Sequence, residues 1–303
     1  MTRNTISVWS LLFLLAAIDI IGLSAEGMSL AGGAILLMAL FVAGLMLLAG
    51  FYTKIRPDPR LATMAHTAAA MLAFMCATCV LSYLAVGLRR PLIDPWLNAV
   101  DHAFGFDWLA MYNWVHARPW FHKTVQYIYI VQVPEIFILQ MILALSGKIM
   151  RAWELLWIAV LTCIGCVFLS ALWPAVGTFA YFHVQLDTPY VAEFAAVRDG
   201  TLKIIDSTGN GMQGLVTFPS LHMALAVISP YAVRGFPVLF PIFLVLNGLI
   251  ILTTPVIGGH YFTDLLGGGV LALIMICIVR RCFAKEVFAE DKAPKGRQTK
   301  KKR

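Results

Sequence analysis

The sequence predicts an all-α integral membrane protein with about eight transmembrane helices, and three observations carry that prediction. The chain of 303 residues is 60% hydrophobic and only 13% charged, whereas a soluble domain is nearer half apolar and a quarter charged. Its mean hydropathy is +0.81. The apolar residues also fall in long runs broken by short polar segments, the pattern of a chain that crosses a bilayer repeatedly.

The runs are Ile6–Ala25, Ala31–Phe51, Ala62–Leu88, Gln126–Leu145, Trp153–Trp173, Phe218–Val233, Phe236–Ile257 and Tyr261–Val279. At about 1.5 Å of rise per residue, most of them bridge a hydrocarbon core of about 30 Å. Phe218–Val233 is short, which suits a helix that starts below the surface in a protein-lined cavity. The first run is long, and Leu23-Ser24-Ala25 is a poor cleavage site, so it is expected to stay as a helix rather than be removed as a signal peptide. This divides the chain into two additional N-terminal spans with their loop (1–61), a six-helix core (62–281) and a basic tail (282–303), expected to be disordered from Lys285 onward.

Two connecting segments are long. Arg89–Val125 carries Trp96, Trp108, Trp114 and Trp120 among Asp94, Asp101 and Asp107, and reads as an interfacial helix pair anchored at headgroup level. Pro174–Thr217 contains Arg198-Asp199-Gly200 and a turn signal at Gly209-Asn210-Gly211. The six cysteines include two Cys-x-x-Cys pairs, Cys76/Cys79 and Cys163/Cys166, but both lie inside apolar runs and read as small packing residues.

Ten of the 23 lysines and arginines lie between Arg280 and Arg303. A tail of that kind sets topology and touches anionic headgroups, so the net charge of +7 is no signal for nucleic acid. With both termini inside, alternate segments place seventeen basic residues on the cytoplasmic side and six outside. The expected location is therefore a multi-pass membrane protein with cytoplasmic termini. The absence of a glycosylation sequon points to a bacterial inner membrane.

Two polar constellations stand at the outer ends of apolar runs, Phe218-Pro219-Ser220-Leu221-His222 and Gly259-His260-Tyr261-Phe262-Thr263-Asp264. Ionisable residues so deep in apolar sequence are costly and mark function by default. His260 and Asp264 share one face if that segment is helical. The carboxylate then accepts one imidazole N–H and leaves the other nitrogen free to attack. His222 supplies a second imidazole suited to protonating a leaving group. The predicted topology puts both histidines on the extracytoplasmic side, one helical hairpin apart. By contrast, His66 reads as a histidine bonded to a neighbouring helix, and Asp19 and Glu135 as interhelical partners or headgroup contacts. Gly258-Gly259 reads as a site of close approach and Gly267-Gly268-Gly269 as a packing surface.

These motifs resemble the second and third signatures of the type 2 phosphatidic acid phosphatase superfamily, most closely the branch that includes the fungal inositol phosphorylceramide synthases. The resemblance covers about 62–279. It implies that His260 attacks phosphorus to form a phosphohistidine, that Asp264 orients and stabilises it, and that His222 protonates the departing oxygen and later activates water or an alcohol. Ser220 and backbone N–H groups at the start of its helix are expected to bind phosphoryl oxygens. No metal and no cofactor is expected, since no zinc motif accompanies the histidines.

The chain departs from the phosphatase pattern in its cations. Trp173-Pro174 stands where Arg-Pro is expected, Cys166 takes the lysine position, and Thr253-Thr254 replaces Ser-Arg. Arg198 and Lys203 in the loop feeding His222 are the candidate replacements, followed by Arg89 and Arg90, with Gly259 allowing the phosphate to approach. The missing clamp favours a phosphotransferase acting on a lipid phosphate and a lipid alcohol over a hydrolase using water. A transporter or flippase is the alternative of another class, although the sequence shows no inverted repeat.

Overall fold

A computed structural model describes residues 3–184, 189–205 and 214–292. Gly209-Asn210-Gly211 and the tail beyond Lys292 lie outside them. The first helices are α1 (Arg3–Glu26), α2 (Gly32–Lys54) and α3 (Pro59–Gly87). Next come α4 (Asp94–Ala103), α5 (Trp108–His116), α6 (Pro119–Ile130), α7 (Gln132–Leu145) and α8 (Ile149–Leu172). The rest are α9 (Thr178–Tyr181), α10 (Tyr190–Asp199), α11 (Leu221–Ala232), α12 (Leu239–Ile257) and α13 (Phe262–Lys292). The described sheet is one pair of two-residue parallel strands, β1 (Ser29–Leu30) and β2 (Ile204–Ile205).

Among the described residues seven helices, counting α6 and α7 as one span, are long and apolar enough to cross a membrane. The sixth expected run, Phe218–Val233, gives α11, whose 12 residues reach only about 18 Å. It lies inside the protein, packed on α8, α12 and α13. The fourth span begins earlier than expected, at Pro119, and breaks at Val131. Pro134 stands in the first turn of α7, where its missing N–H costs no intrahelical bond.

The centre of the bundle is α3, which contacts α1, α2, α7 and α8. Asp58 caps it by accepting from the N–H groups of Arg60 and Leu61, with Pro59 in the first turn. Ala65, Ala69, Ala70 and Ala77 are buried along it, and these small residues let neighbouring helices approach closely. α2 packs on α3 but leaves nearly all of its apolar surface exposed.

The tail differs from expectation. Instead of becoming disordered at Lys285, α13 continues to Lys292. Phe283 and Val287 are buried, and Glu290 accepts from the N–H groups of Met150 and Arg151, so the last turns are tied to the start of α8. His66 bonds the Ala62 carbonyl of its own helix at 3.2 Å, not a neighbouring helix. Glu135 does pair between helices: Asn247 of α12 donates to it at 2.7 Å. Asp19 is buried on α1, with one carboxylate oxygen unpartnered among the described residues.

Candidate active site

Three helix ends meet at one end of the bundle: the start of α11, the end of α12 and the start of α13. The Ser220 N–H donates to the Asp264 carbonyl at 3.1 Å, which joins α11 to α13 directly. A Cβ at Gly268 would collide with the Ser220 carbonyl, and one at Gly267 would lie 3.1 Å from the Phe218 ring. These glycines are thus the surface on which α11 sits. Ser220 caps α11, its hydroxyl accepting from the Met223 N–H at 3.3 Å, and its side chain is buried. The cap uses one acceptor lone pair of that hydroxyl and leaves its O–H to donate.

His260 lies in the turn between α12 and α13, with its N–H donating to the Pro255 carbonyl at 3.2 Å. Gly259 makes the turn with a φ of 65°, and a side chain there would collide with the Phe179 ring. Its carbonyl accepts from the Thr178 N–H at 3.0 Å. The close approach at Gly259 is therefore made by the protein's own α9.

His260 Nδ1 and Asp264 Oδ2 are 3.3 Å apart, and the same carboxylate oxygen accepts from the Tyr261 N–H at 3.0 Å. One expectation is corrected here. The pair forms across a capping turn rather than on a helical face, because α13 starts only at Phe262. Asp264 is also a cap, standing in the first turn where N–H groups lack intrahelical partners. His260 is 5% exposed. Burial pushes its imidazole down to about 4, opposed in part by the neighbouring Thr217 carbonyl.

His222, in the first turn of α11, is close enough to His260 for the two imidazoles to interact electrostatically. Tyr129 of α6 joins them. Its hydroxyl is 3.1 Å from His222 Nδ1, and the two rings stack with centroids 4.2 Å apart. A Cβ at Gly258 would lie 2.8 Å from both the Tyr129 hydroxyl and the His260 ring edge, so Tyr129 borders both histidines. With Nδ1 engaged by Tyr129, His222 is left with Nε2 for exchange with a substrate.

Two further carboxylates, read from the sequence only as part of an interfacial segment, belong to the site. Asp101 of α4 accepts from the N–H groups of Phe262 (2.7 Å) and Thr263 (2.9 Å) and from the Thr263 hydroxyl (2.6 Å). It caps α13 from another helix. Asp94, seven residues earlier on the same face, accepts from the N–H groups of Val176 (3.0 Å) and Gly177 (2.9 Å) and from the Tyr261 hydroxyl (3.1 Å). Burial raises the Asp94 carboxyl, while these donors pull it back. Together they clamp the segment after α8 and the start of α13 around His260. The i, i+7 spacing of two aspartates on a short helix was the available signal.

The tryptophan segment divides in the same way. Trp96, Trp114 and Trp120 are exposed, as interfacial anchors should be, but Trp108 is buried. Its indole N–H donates to the Pro255 carbonyl at 2.8 Å, and it contacts Phe179 and Phe182. It forms an aromatic wall behind the turn that carries His260.

The expected cations stand apart from the histidines. Arg198 is on α10, half-buried, with its guanidinium donating to the Arg90 carbonyl at 2.9 Å. The start of α10 does reach the site, through the Tyr190 and Thr217 hydroxyls at 2.8 Å, but Arg198 is eight residues farther on, about 12 Å. Lys203 precedes β2, its carbonyl accepting from Ser29, and Arg89 lies 3.7 Å from Glu26. Cys166 is buried within α8. Among the described residues no lysine or arginine is bonded to His222, His260, Asp264 or Tyr129.

No curated protein and no solved structure matches the chain. A family model, that of the PAP2 superfamily, matches residues 95–278, a span that holds both histidines, Asp264, Tyr129 and Asp101. That is well over half of the chain, and it contains phosphatases and phosphotransferases of lipids as its members' activities. The protein belongs to the PAP2 superfamily and is a membrane enzyme of this phosphatase and phosphotransferase type.

Proposed function

We propose that the protein is a phosphotransferase that moves a phospho-headgroup from a phosphodiester lipid to a lipid alcohol such as a ceramide or diacylglycerol. This is the reaction type of the inositol phosphorylceramide synthases. The carrying observation is a pair of histidines, His260 buried and His222 half-buried, bordered by one tyrosine and backed by Asp264, with no bonded lysine or arginine among the described residues. A phosphate monoester carries nearly two negative charges at neutral pH and a diester only one. A site this poor in cations favours the diester.

His260 is the nucleophile. Its lone pair attacks phosphorus, and the bond from phosphorus to the donor's lipid oxygen breaks. His222 gives that oxygen a proton from Nε2, and the lipid alcohol departs. Asp264 stabilises the imidazole that now carries the phospho-headgroup. In the second half, His222 removes the proton of the acceptor hydroxyl, whose oxygen attacks phosphorus as the bond to His260 breaks. Backbone N–H groups at the start of α11 face the phosphoryl oxygens. Arg198 and Lys203, at their distance, are assigned to the donor headgroup rather than to the reacting phosphorus. The site lies at the extracytoplasmic face.

Lipid mass spectrometry on the native host tests this, comparing the intact protein with His260→Ala at equal abundance. A phospholipid or phosphosphingolipid made only by the intact protein supports transfer. Loss of a lipid phosphate with a rise in its dephosphorylated partner makes the enzyme a hydrolase. Identical lipidomes count against catalysis and favour transport.

A further inference from the structure

At the end of the bundle opposite the histidines, a cavity of about 470 Å³ is lined by Glu154, Arg234, Arg280, Lys285, Val287 and Phe288. Arg280 is eighteen residues along α13 from Phe262, about 27 Å from the candidate active site. Glu154 is the one carboxylate in the lining, and both its oxygens are engaged. It accepts from the Tyr231 hydroxyl at 2.7 Å and from the Arg234 guanidinium at 2.6 Å. Arg234 also lies over the Tyr231 ring, 3.8 Å from its centroid. That group is neutral as a whole. Arg280 and Lys285 are exposed and have no carboxylate partner among the described residues. Glu286 lines a separate groove, with Asn4 and Ser7 of α1. The cavity therefore carries two uncompensated positive charges beside a fixed arginine.

Toward the membrane centre, Ile274 and Ile278 are about half exposed. They lie four and seven residues apart in series with Lys285, on one face of α13. An apolar stripe thus leads directly into a cationic cavity walled by Val287 and Phe288. Acyl chains fit the stripe, and a phosphate oxygen set fits the arginine and lysine donors.

We propose that this cavity binds the phosphate-bearing headgroup of an anionic membrane phospholipid, as a site separate from the one at which lipid is transformed. The test uses full-length His260→Ala protein in detergent, so that its outcome does not depend on the proposed catalysis. Native mass spectrometry is run with dioleoyl phosphatidylglycerol, dioleoyl phosphatidylcholine and inorganic phosphate. The expected result is one retained phosphatidylglycerol, little phosphatidylcholine, and at least tenfold weaker retention in the Arg280→Gln/Lys285→Gln variant. Both substitutions are at exposed positions, and an unchanged Tm shows that the fold is kept. Equal retention by the variant, or equal retention of phosphatidylcholine, overturns the proposal. Displacement of phosphatidylglycerol by millimolar inorganic phosphate overturns it in favour of a soluble-anion site.

Discussion

Asp101→Asn is the substitution whose effect the geometry specifies most closely. The carboxylate of Asp101 takes two backbone N–H donors and one hydroxyl, and the residue is only 3% exposed. An asparagine keeps one acceptor oxygen, which satisfies Thr263, and turns an NH₂ group toward the Phe262 N–H. Donor then faces donor at the residue two beyond His260. Losing one charge-assisted bond in a buried place costs about 1.5–3 kcal/mol, and an unsatisfied helix start adds about 1 kcal/mol. A destabilisation of about 2–4 kcal/mol is expected, with kcat lower by at least tenfold because the turn holding His260 loosens. Asp107→Asn is the control. Asp107 caps α5 through the Ala110 N–H at 2.9 Å in an exposed position, so its loss should cost stability of about 1 kcal/mol and leave kcat unchanged. Thermal unfolding in detergent and steady-state turnover of a fluorescent lipid measure both. Equal kcat for Asp101→Asn and the native protein refutes the idea that Asp101 positions His260.

Three more outcomes follow from the site. Tyr129→Phe keeps the ring stacked on His222 but removes its hydroxyl; kcat should fall about tenfold, the equivalent of one hydrogen bond of about 1.4 kcal/mol, with little change in KM. Equal loss in KM would mean that Tyr129 binds substrate instead. The pH profile of kcat/KM should keep its rate down to about pH 5 and fall as pH drops through about 4, because protonation removes the His260 lone pair; an acid limb near the ordinary histidine value of about 6.5 contradicts a buried, neutral nucleophile. Gly259→Ala must place a Cβ at a φ of 65° and against Phe179, so it should destabilise by about 1–3 kcal/mol. Gly44→Ala, inside α2 with no atom within 4 Å of its Cβ, should not lower Tm.

What the sequence disclosed depended on local spacing. His222, His260 and Asp264 were legible because charged groups stand out in apolar runs and because a four-residue interval is a short-range relation. Their detailed roles were not. Ser220 reads as a phosphate ligand, and its second role as the cap of α11 depends on where the first turn of that helix starts. Asp94 and Asp101 were hidden by company: among four tryptophans and Asp107 they read as headgroup-level polar residues. Their partners, Gly177, Tyr261 and Phe262, are 83 to 167 residues away, and no local pattern encodes such a distance. Tyr129 was masked in the aromatic run that starts the fourth span. The helix past Lys285 was missed because a basic composition suggested solvation, while Phe283 and Val287 supplied the buried face that holds it.

The central claim is that His260 carries the phospho-headgroup. The direct measurement is acid-free rapid quench of the purified protein with a headgroup-labelled phosphodiester lipid and no acceptor, followed by peptide mass spectrometry. The account predicts a phosphoramidate adduct on the peptide containing His260, stable to base and lost in acid, and absent from His260→Ala. An adduct on His222 or on another residue, or a native protein that turns over substrate with no adduct at any time point, contradicts it.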